Sequence, residues 1–389
     1  MIPVYKPYLP IEVLKHAHEA LDSTWISSKG PYITNVEKIL SEMHTVSDVR
    51  INVATTTNNG TTATHLVARL LKKNKPNITT IIVPNNVYVA AWNAFLFDKN
   101  YTLEAVEADL YTWNYDMDKL YEVLATKDLE TTALLVVHNM GNVVNVPKIQ
   151  RDWKGLVVVE DNCEGLFGKY EDKPTGSVSL AASVSFFGNK SITSGEGGAV
   201  IADNHDQGFL YTLRSQGQSE DRYIHNELGY NYRMTNIQAA LLYGQLNMRD
   251  KIFRMKKNVF SMYKDLLLNI NEVQVQQRDP NTKHSKWMFG IHINSGDYYE
   301  IEKFFNANHI EVRPMFYPIH RHSYLRDIKV HGGCDVATTL NKECVILPSY
   351  PELQDHEIAH VVNTLKQYLA RNKSRKRVSP ALRARLVLI

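Results

Sequence analysis

The sequence predicts an α/β protein in which a large domain with a mostly parallel, seven-stranded sheet precedes a smaller α+β domain. At 389 residues, the chain exceeds the roughly 250–300 at which single hydrophobic cores stop growing. Between residues 50 and 202, short apolar runs alternate with amphipathic stretches of helical length, which is typical of α/β domains. Several runs are rich in Val and Ile on both faces, as expected for parallel strands covered by helices.

The seven runs predicted to be strands are Ile51–Thr55, Thr80–Val83, Leu103–Val106, Ala133–Val137, Leu156–Val159, Ala182–Phe186 and Ala199–Ala202. A long helical pattern then extends from Met234 to Asn269. It is followed by a strand at Trp287–Ile293 and helices at Tyr298–His309 and Asp355–Leu369. We therefore expect a large domain over 1–250, including an N-terminal arm, and a small domain over 251–370.

Composition favours a soluble protein of a reducing compartment. Apolar residues make up 44% and charged residues 22% of the chain, and no apolar run approaches the ~20 residues of a membrane span. Cys163, Cys334 and Cys344 form no CxxC pair, so neither a disulfide framework nor a zinc site is expected. A cytoplasmic location is the simplest expectation.

Residues 371–389 hold seven Lys or Arg residues and no acid, whereas the whole chain has a net charge of +3. The body before this tail is therefore mildly acidic. We expect a solvated, disordered tail; the alternative is a segment that contacts nucleic acid or an anionic membrane.

Lys190 is the strongest candidate for chemistry. It follows the strand predicted to end near Phe186 and precedes a glycine-rich segment at Gly195, Gly197 and Gly198. A lysine that forms a Schiff base must be held near its cofactor, partly desolvated and within reach of substrate, and a strand end followed by a turn provides this. The alternative is a surface lysine in a glycine turn.

Asp161 is the candidate partner for a cofactor ring. Four apolar residues, Leu156–Val159, end in Glu160 and Asp161, and ligands of open α/β sheets bind at the carboxyl ends of strands. An aspartate there can keep the ring nitrogen of pyridoxal phosphate protonated, so that the ring accepts electrons. The alternative is an ordinary helix N-cap.

Three further segments suit a phosphorylated aromatic cofactor. Gly60 and Thr61 open a helix, whose free amides favour phosphate. Tyr88 follows a strand and is placed to stack on a planar ring, although a core aromatic is equally consistent. Asn231 and Arg233 precede the long helix and suit an anion, or simply a capping segment.

The sequence resembles the sugar aminotransferases of the DegT/DnrJ/EryC1/StrS family, from about Ile2 to Leu369. The resemblance rests on TWISSKGPYI (Thr24–Ile33), NGTTATH (Asn59–His65), VEDNCEG (Val159–Gly165), SFFGNKSITSGEGG (Ser185–Gly198), GYNYRMTNIQAA (Gly229–Ala240) and HIEVRPMFYPIH (His309–His320). It implies the aspartate-aminotransferase-like fold of fold-type-I enzymes and a pyridoxal 5'-phosphate cofactor. It also implies L-glutamate as donor and a nucleotide-linked keto sugar as acceptor, aminated at carbon 4 as in perosamine and viosamine synthases.

Residue by residue, the resemblance implies that Lys190 is the Schiff-base lysine and acid/base, and that Asp161 is the ring-nitrogen partner. It further implies a phenolic-oxygen contact for Glu164, a ring contact for Tyr88, and phosphate contacts for Gly60, Thr61 and Ser185. Asn231 would contact the phosphate of the cofactor bound in the partner subunit, which predicts a homodimer with shared active sites. Arg313 and His320 would lie near the substrate.

The sequence departs from the family pattern at three places. Asn162 and Cys163 stand where two alanines are common, and Asn85 and Asn86 where small or hydroxyl residues are common. Residues 321–324 read RHSY instead of containing a Gln-Pro pair, and this last departure leaves the sugar and nucleotide open. Alternative functions are a sugar 3-aminotransferase, a sugar dehydratase of the same fold, a non-catalytic cofactor binder, or a nucleic-acid binder acting through the tail. Dehydratases of this type usually lack the lysine, so Lys190 argues against that class.

Overall fold

A computed structural model describes residues 1–46 and 51–385. In these ranges the α-helices are α1 (Ile11–Asp22), α2 (Pro31–His44), α3 (Gly60–Asn74), α4 (Ala90–Leu96), α5 (Met117–Leu124), α6 (Val146–Asp152), α7 (Gln207–Arg214), α8 (Asn236–Asn247), α9 (Arg249–Leu267), α10 (Tyr298–Asn306), α11 (Asp335–Glu343) and α12 (Asp355–Arg385).

The strands of the main sheet are β1 (Asn52–Thr57), β2 (Thr80–Pro84), β3 (Thr102–Val106), β4 (Thr132–Val137), β5 (Val157–Asp161), β8 (Ala181–Ser185), β9 (Gly198–Asp203) and β14 (Lys329–His331). A small sheet contains β6 (Lys169–Tyr170), β7 (Lys173–Pro174) and β11 (Thr282–Lys283). A four-stranded sheet contains β10 (Val273–Val275), β12 (Phe289–Ile293), β13 (Arg313–Pro314) and β15 (Cys344–Leu347).

The main sheet has eight strands in the order β1-β9-β8-β5-β4-β2-β3-β14, so the predicted number of seven was wrong. All seven predicted strands are present, and their ends differ from the prediction by at most two residues. The additional strand, Lys329–His331, comes from the C-terminal part of the chain and pairs in parallel with β3. It has three residues and a single aliphatic side chain, so it has no apolar run that the sequence pattern could reveal. The sheet is mostly parallel, with β9 antiparallel to both of its neighbours.

Helices cover both faces of the main sheet, as the apolar composition of its strands predicts. All six residues of β4 are buried, and they alternate between two cores. Leu135 and Val137 pack in the core that contains Leu66 of α3. Leu134 and Val136 pack on the opposite face, in the core that contains Leu120 of α5. Because both faces of the strand are buried, a ligand can reach the strand ends but not the strand faces.

The C-terminal part forms an antiparallel sheet, β10-β12-β15-β13, packed against α9, α10 and α12. The helical pattern predicted from Met234 to Asn269 is two helices, α8 and α9, because Met248 leaves helical geometry between them. The predicted domain boundary near residue 250 coincides with this break and remains a prediction. The strand predicted from Trp287 begins at Phe289, and the helix predicted to reach His309 ends at Asn306.

The N-terminal arm lies against the C-terminal part of the chain. The amide of Ile2 donates to the carbonyl of His309 at 2.7 Å, and the amide of Ser349 donates to the carbonyl of Val4 at 3.2 Å. These bonds hold the arm by its backbone, so its side chains are presented at defined positions.

The last helix, α12, continues to Arg385, beyond the predicted end at Leu369 and through most of the segment expected to form a disordered tail. Residues 386–389 of that predicted tail lie outside the described residues, as does Arg50 at the start of the predicted α/β region. Within the described residues, no helix is both long enough and apolar enough to cross a membrane.

Candidate active site

The candidate site lies at the carboxyl ends of the central parallel strands. Asp161, the last residue of β5, is in register with Val137 at the end of β4 and with Ser183 in β8. Because neighbouring parallel strands end at the same edge, the segments that follow them meet there. This edge therefore brings Asp161 close to the chain that follows β8 and carries Lys190.

Asp161 and Glu160 are adjacent in sequence but have different surroundings. Glu160 is fully buried, and its carboxylate accepts hydrogen bonds from His138 Nε2 at 2.8 Å and from the Gly176 amide at 3.0 Å. Asp161 is 7% exposed, and its Oδ1 accepts from the amide of Cys163 at 3.0 Å. The Cys163 thiol also forms a side-chain hydrogen bond with this carboxylate. Glu160 is thus a satisfied structural acid. The Asp161 carboxylate can still accept a hydrogen bond from a ligand, because an ionised carboxylate has about four acceptor sites.

Lys190 is half-buried in the turn after β8, where its amide donates to the carbonyl of Phe187 at 2.9 Å. Its Nζ lies 4.1 Å from the ring centroid of Trp287. An ammonium over an aromatic face is attracted by the ring, so Trp287 gives the side chain a defined resting position. Trp287 in turn donates from Nε1 to the carbonyl of Asn189 at 3.0 Å.

Glu164 connects Lys190 and Asp161 electrostatically. Burial raises the pKa of Glu164 to about 7; the positive charge of Lys190 and the amide of Met140, 2.8 Å from Oε2, lower it, and the charge of Asp161 raises it. Burial also raises the pKa of Cys163, which the charges of Asp161 and Lys190 influence in opposite directions. Lys190, Asp161 and Glu164 therefore lie close enough to influence the same groups.

The start of α3 forms a cradle for an anion. Asn59 caps the helix by accepting from the Thr62 amide at 2.9 Å, and the amides of Gly60 and Thr61 precede the first intrahelical bond. A Cβ on Gly60 would lie 2.7 Å from Ser185 Cβ and 2.9 Å from Ser185 Oγ. Only glycine permits this approach, which brings the Ser185 hydroxyl to the helix N-terminus, where a phosphate is favoured.

Tyr88 and His320 belong to two segments that contact each other. Tyr88 is 59% exposed in the turn before α4, with its ring 5.8 Å from that of Phe316. His320 belongs to a short 3₁₀ turn, Ile319–Arg321, in which the amide of Ile319 donates to the carbonyl of Asn85 at 2.8 Å. The turn is therefore docked on the loop that carries Tyr88. His320 Nδ1 is buried, and it has no hydrogen-bond partner among the described residues.

Asn231 and Arg313 lie in other surroundings. The side chain of Asn231 is exposed, and its backbone carbonyl accepts from Asn58 Nδ2 of the same chain at 3.4 Å. Arg313, in β13, forms an ion pair with Glu311 at 3.3 Å. The single chain thus leaves Asn231 free to contact another molecule, and the roles predicted for both residues remain predictions.

Trp287 and Tyr5 also contact Lys190, although no motif in the sequence indicates them. The hydroxyl of Tyr5, in the N-terminal arm, donates to the carbonyl of Lys190. Trp287 was assigned to a strand, but it precedes β12, in a loop that faces Lys190. Neither residue lies in a motif near Lys190 in sequence, so an aromatic residue in an otherwise ordinary segment was the only available signal.

The donor set fits pyridoxal phosphate. It offers an amine to the aldehyde, an aspartate with remaining acceptor capacity to the ring nitrogen, and free amides with a hydroxyl to the phosphate. The close approach of Gly60 and Ser185 supports this fit, because it creates the anion cradle independently of the lysine.

Comparisons with known proteins identify similar sequences. The sequence model of the DegT/DnrJ/EryC1/StrS aminotransferase family matches residues 9–366. The chain is 33% identical over 377 residues to a GDP-perosamine synthase of Escherichia coli O157:H7, covering 94% of this chain and 98% of that protein. It is 31% identical over 379 residues to a GDP-perosamine synthase of Vibrio cholerae, covering 95% and 99%.

Among solved structures, the fold is similar to that of E. coli GDP-4-keto-6-deoxy-D-mannose-3-dehydratase with bound hydrated PLP. The TM-score is 0.84 at 21% sequence identity, covering 94% of this chain and 99% of that one. At this identity the similarity establishes the fold, which confirms the predicted fold-type-I architecture.

Proposed function

Because the chain belongs to the DegT/DnrJ/EryC1/StrS aminotransferase family, we propose that it aminates carbon 4 of a GDP-linked 4-keto-6-deoxyhexose, with L-glutamate as donor. The chain is a pyridoxal-phosphate-dependent aminotransferase. The choice of GDP is supported by the names of relatives that are 31–33% identical over nearly their full length. A UDP-linked sugar of the viosamine type is the competing acceptor.

The observation that carries the proposal is the grouping of Lys190, Asp161 and the α3 N-terminus at one edge of the sheet. When bound, the cofactor supplies an aldehyde that condenses with amines and a ring that accepts electrons from the attached carbon. Gly60, Thr61 and Ser185 would hold its phosphate, Asp161 its ring nitrogen and Glu164 its phenolic oxygen. Tyr88 would cover the ring.

Lys190 would act as both acid and base, removing a proton from the α-carbon of L-glutamate and delivering it to the aldehyde carbon of the cofactor, on the other side of the shared nitrogen. A single amine suits this task because both positions lie on one face of the ring. Trp287, 4.1 Å from Nζ, limits the space in which the amine moves. The keto sugar would then react by the same steps in reverse, which predicts ping-pong kinetics.

The acceptor is tested by incubating the purified enzyme and L-glutamate with GDP- and UDP-linked 4-keto-6-deoxy sugars, and following each product by mass spectrometry. Conversion of ketone to amine on the GDP sugar supports the proposal, whereas preferential conversion of the UDP sugar would overturn the nucleotide assignment. Loss of water without gain of nitrogen would indicate a dehydratase, and amination at carbon 3 is distinguished by NMR. Lys190→Ala should abolish the absorbance near ~420 nm expected for the lysine–cofactor link.

A homodimer with shared sites is part of the proposal. It is supported by the exposed side chain of Asn231 and by large apolar side chains that are exposed in the single chain, including Trp25, Tyr223 and Leu228. Mixing Lys190→Ala and Asn231→Ala subunits tests it. If Asn231 acts on the partner's cofactor, hybrid dimers regain one intact site and the mixture recovers about one quarter of wild-type activity. Absence of recovery would contradict sharing.

We also propose a cytoplasmic location. The cysteines Cys163, Cys334 and Cys344 are all free thiols, which suits a reducing compartment. Fractionation of cells that express the native protein tests this.

A further inference from the structure

Lys256 is a buried lysine that the proposed reaction does not use. It lies on α9 with 1% of its surface exposed, and within the described part of the chain no carboxylate pairs with it. Its Nζ donates instead to the carbonyl of Trp287 at 2.7 Å and to the carbonyl of Ser349. Burial lowers the pKa of Lys256 to about 7. Because burying an amine without a counter-charge is costly, its contacts call for an explanation.

The first contact of Lys256 leads directly to the reactive lysine. The residue whose carbonyl it binds, Trp287, has its ring 4.1 Å from Lys190 Nζ. The same indole donates to the carbonyl of Asn189, the residue before Lys190. Lys256 therefore fixes the backbone of Trp287, while the ring of Trp287 contacts both the side chain of Lys190 and the turn that carries it.

The second contact reaches the same turn through the N-terminal arm. Ser349 binds Lys256 through its carbonyl and Val4 of the arm through its amide, at 3.2 Å. The next arm residue, Tyr5, has its ring 5.3 Å from Lys256 Nζ and donates its hydroxyl to the carbonyl of Lys190. Two sets of contacts thus connect Lys256 to Lys190. One reaches the side chain of Lys190 through Trp287, and the other reaches its backbone carbonyl through Tyr5.

We propose that Lys256 is a positioning residue that holds Trp287 and Tyr5 against Lys190 and so sets the position of its amine. The inference rests on the proposed role of Lys190. The amine must stand over one face of the cofactor ring, and a displacement of about 1 Å can lower the rate about 100-fold. A lysine that anchors backbone carbonyls on both sides of this turn provides such control without touching cofactor or substrate.

The test compares Lys256→Met with Lys257→Met in the holoenzyme. Methionine keeps the length of the aliphatic part of the side chain and removes the amine that donates. Lys257 is the exposed neighbour on the same helix. Two quantities are measured: the pH midpoint of the absorbance of the lysine–cofactor link, and the single-turnover rate with L-glutamate. A role limited to folding would leave both unchanged in the folded holoenzyme.

We expect Lys256→Met to shift the pH midpoint by about half a unit or more and to slow the single turnover about tenfold. Lys257→Met should match the wild type. Other groups whose charges act near Lys190, including Asp161, Cys163 and Glu164, are present in both variants. The inference is overturned if Lys256→Met titrates and reacts like Lys257→Met.

If Lys256→Met does not fold, Tyr5→Phe tests the positioning role instead, because it deletes only the hydroxyl that binds the Lys190 carbonyl. A midpoint shift in this variant supports the arm route from Lys256, and an unchanged midpoint and rate refute it. If wild-type protein forms no coloured link with pyridoxal phosphate, the proposed function itself has failed. A normal wild type with normal variants refutes the positioning role alone.

Discussion

Replacing Glu164 by Gln should stabilise the cofactor-free protein at alkaline pH. Burial raises the pKa of this carboxyl from its ordinary 4.5 to about 7, so ionising it in the folded protein is unfavourable. A difference of about 2.5 pH units corresponds to about 3 kcal/mol of unfolding free energy. Glutamine carries no charge, and its amide oxygen can still accept from the Met140 amide, now 2.8 Å from Oε2.

The sign follows from proton binding. Between pH 4.5 and about 7 the unfolded chain has already released this proton, whereas the folded protein retains it. The folded state therefore binds more protons, and its stability decreases as pH rises through that window. Above about pH 7 the carboxyl is ionised in both states, and the full free-energy cost of its charge in the folded protein remains. The Gln variant avoids the cost at every pH.

Urea unfolding of cofactor-free wild type and Glu164→Gln at pH 5 and pH 8 measures the effect. We expect the stability advantage of the variant to be about 2–3 kcal/mol larger at pH 8 than at pH 5. Glu122→Gln, at an exposed position on α5, is the control and should show little change with pH. A stability difference for Glu164→Gln that is the same at both pH values would refute the reasoning.

Two further substitution pairs test the cradle and the adjacent acids. Gly60→Ala should weaken cofactor binding and cost about 1–3 kcal/mol of stability, because its Cβ would lie 2.7 Å from Ser185 Cβ. Gly208→Ala, with nothing within 4 Å, should be neutral or slightly stabilising; equal effects in urea unfolding would contradict the cradle. Glu160→Gln should cost about 1–3 kcal/mol, because the buried carboxylate that accepts from His138 and the Gly176 amide loses its charge. Asp161→Asn should instead retain stability and lose at least about tenfold in single-turnover rate, and the reverse pattern would exchange the two assignments.

Much of the site was predictable because strand ends and helix starts, which are visible in the sequence, determine where its residues lie. Parallel strands buried on both faces must end at a common edge, so apolar runs that stop at Asp161 and before Lys190 indicate neighbouring side chains. The cradle at Gly60 was equally visible, since helix N-termini bind anions whatever the surrounding fold. The choice between Glu160 and Asp161 was made by resemblance, and the structure explains it by the hydrogen bonds of Glu160.

Other features escaped because they depend on contacts between distant parts of the chain. The eighth strand, Lys329–His331, exists because the edge of β3 is available to it, and its own three residues give no pattern. Trp287 and Tyr5 reach Lys190 from segments almost 100 and 185 residues away. The sequence does not distinguish Lys256 from the other lysines of its amphipathic helix, because only packing buries it.

The sequence by itself determined the α/β class, since strand periodicity, strand ends and helix starts are local properties. Its family motifs indicated the cofactor and the lysine that we propose to react with it. Only the tertiary structure decided what surrounds that group: which acid is already satisfied, which ring lies beside Lys190 and which buried amine holds that ring. The reason is physical. Burial, and the hydrogen bonds it makes necessary, arise when the chain packs, and they belong to no single segment.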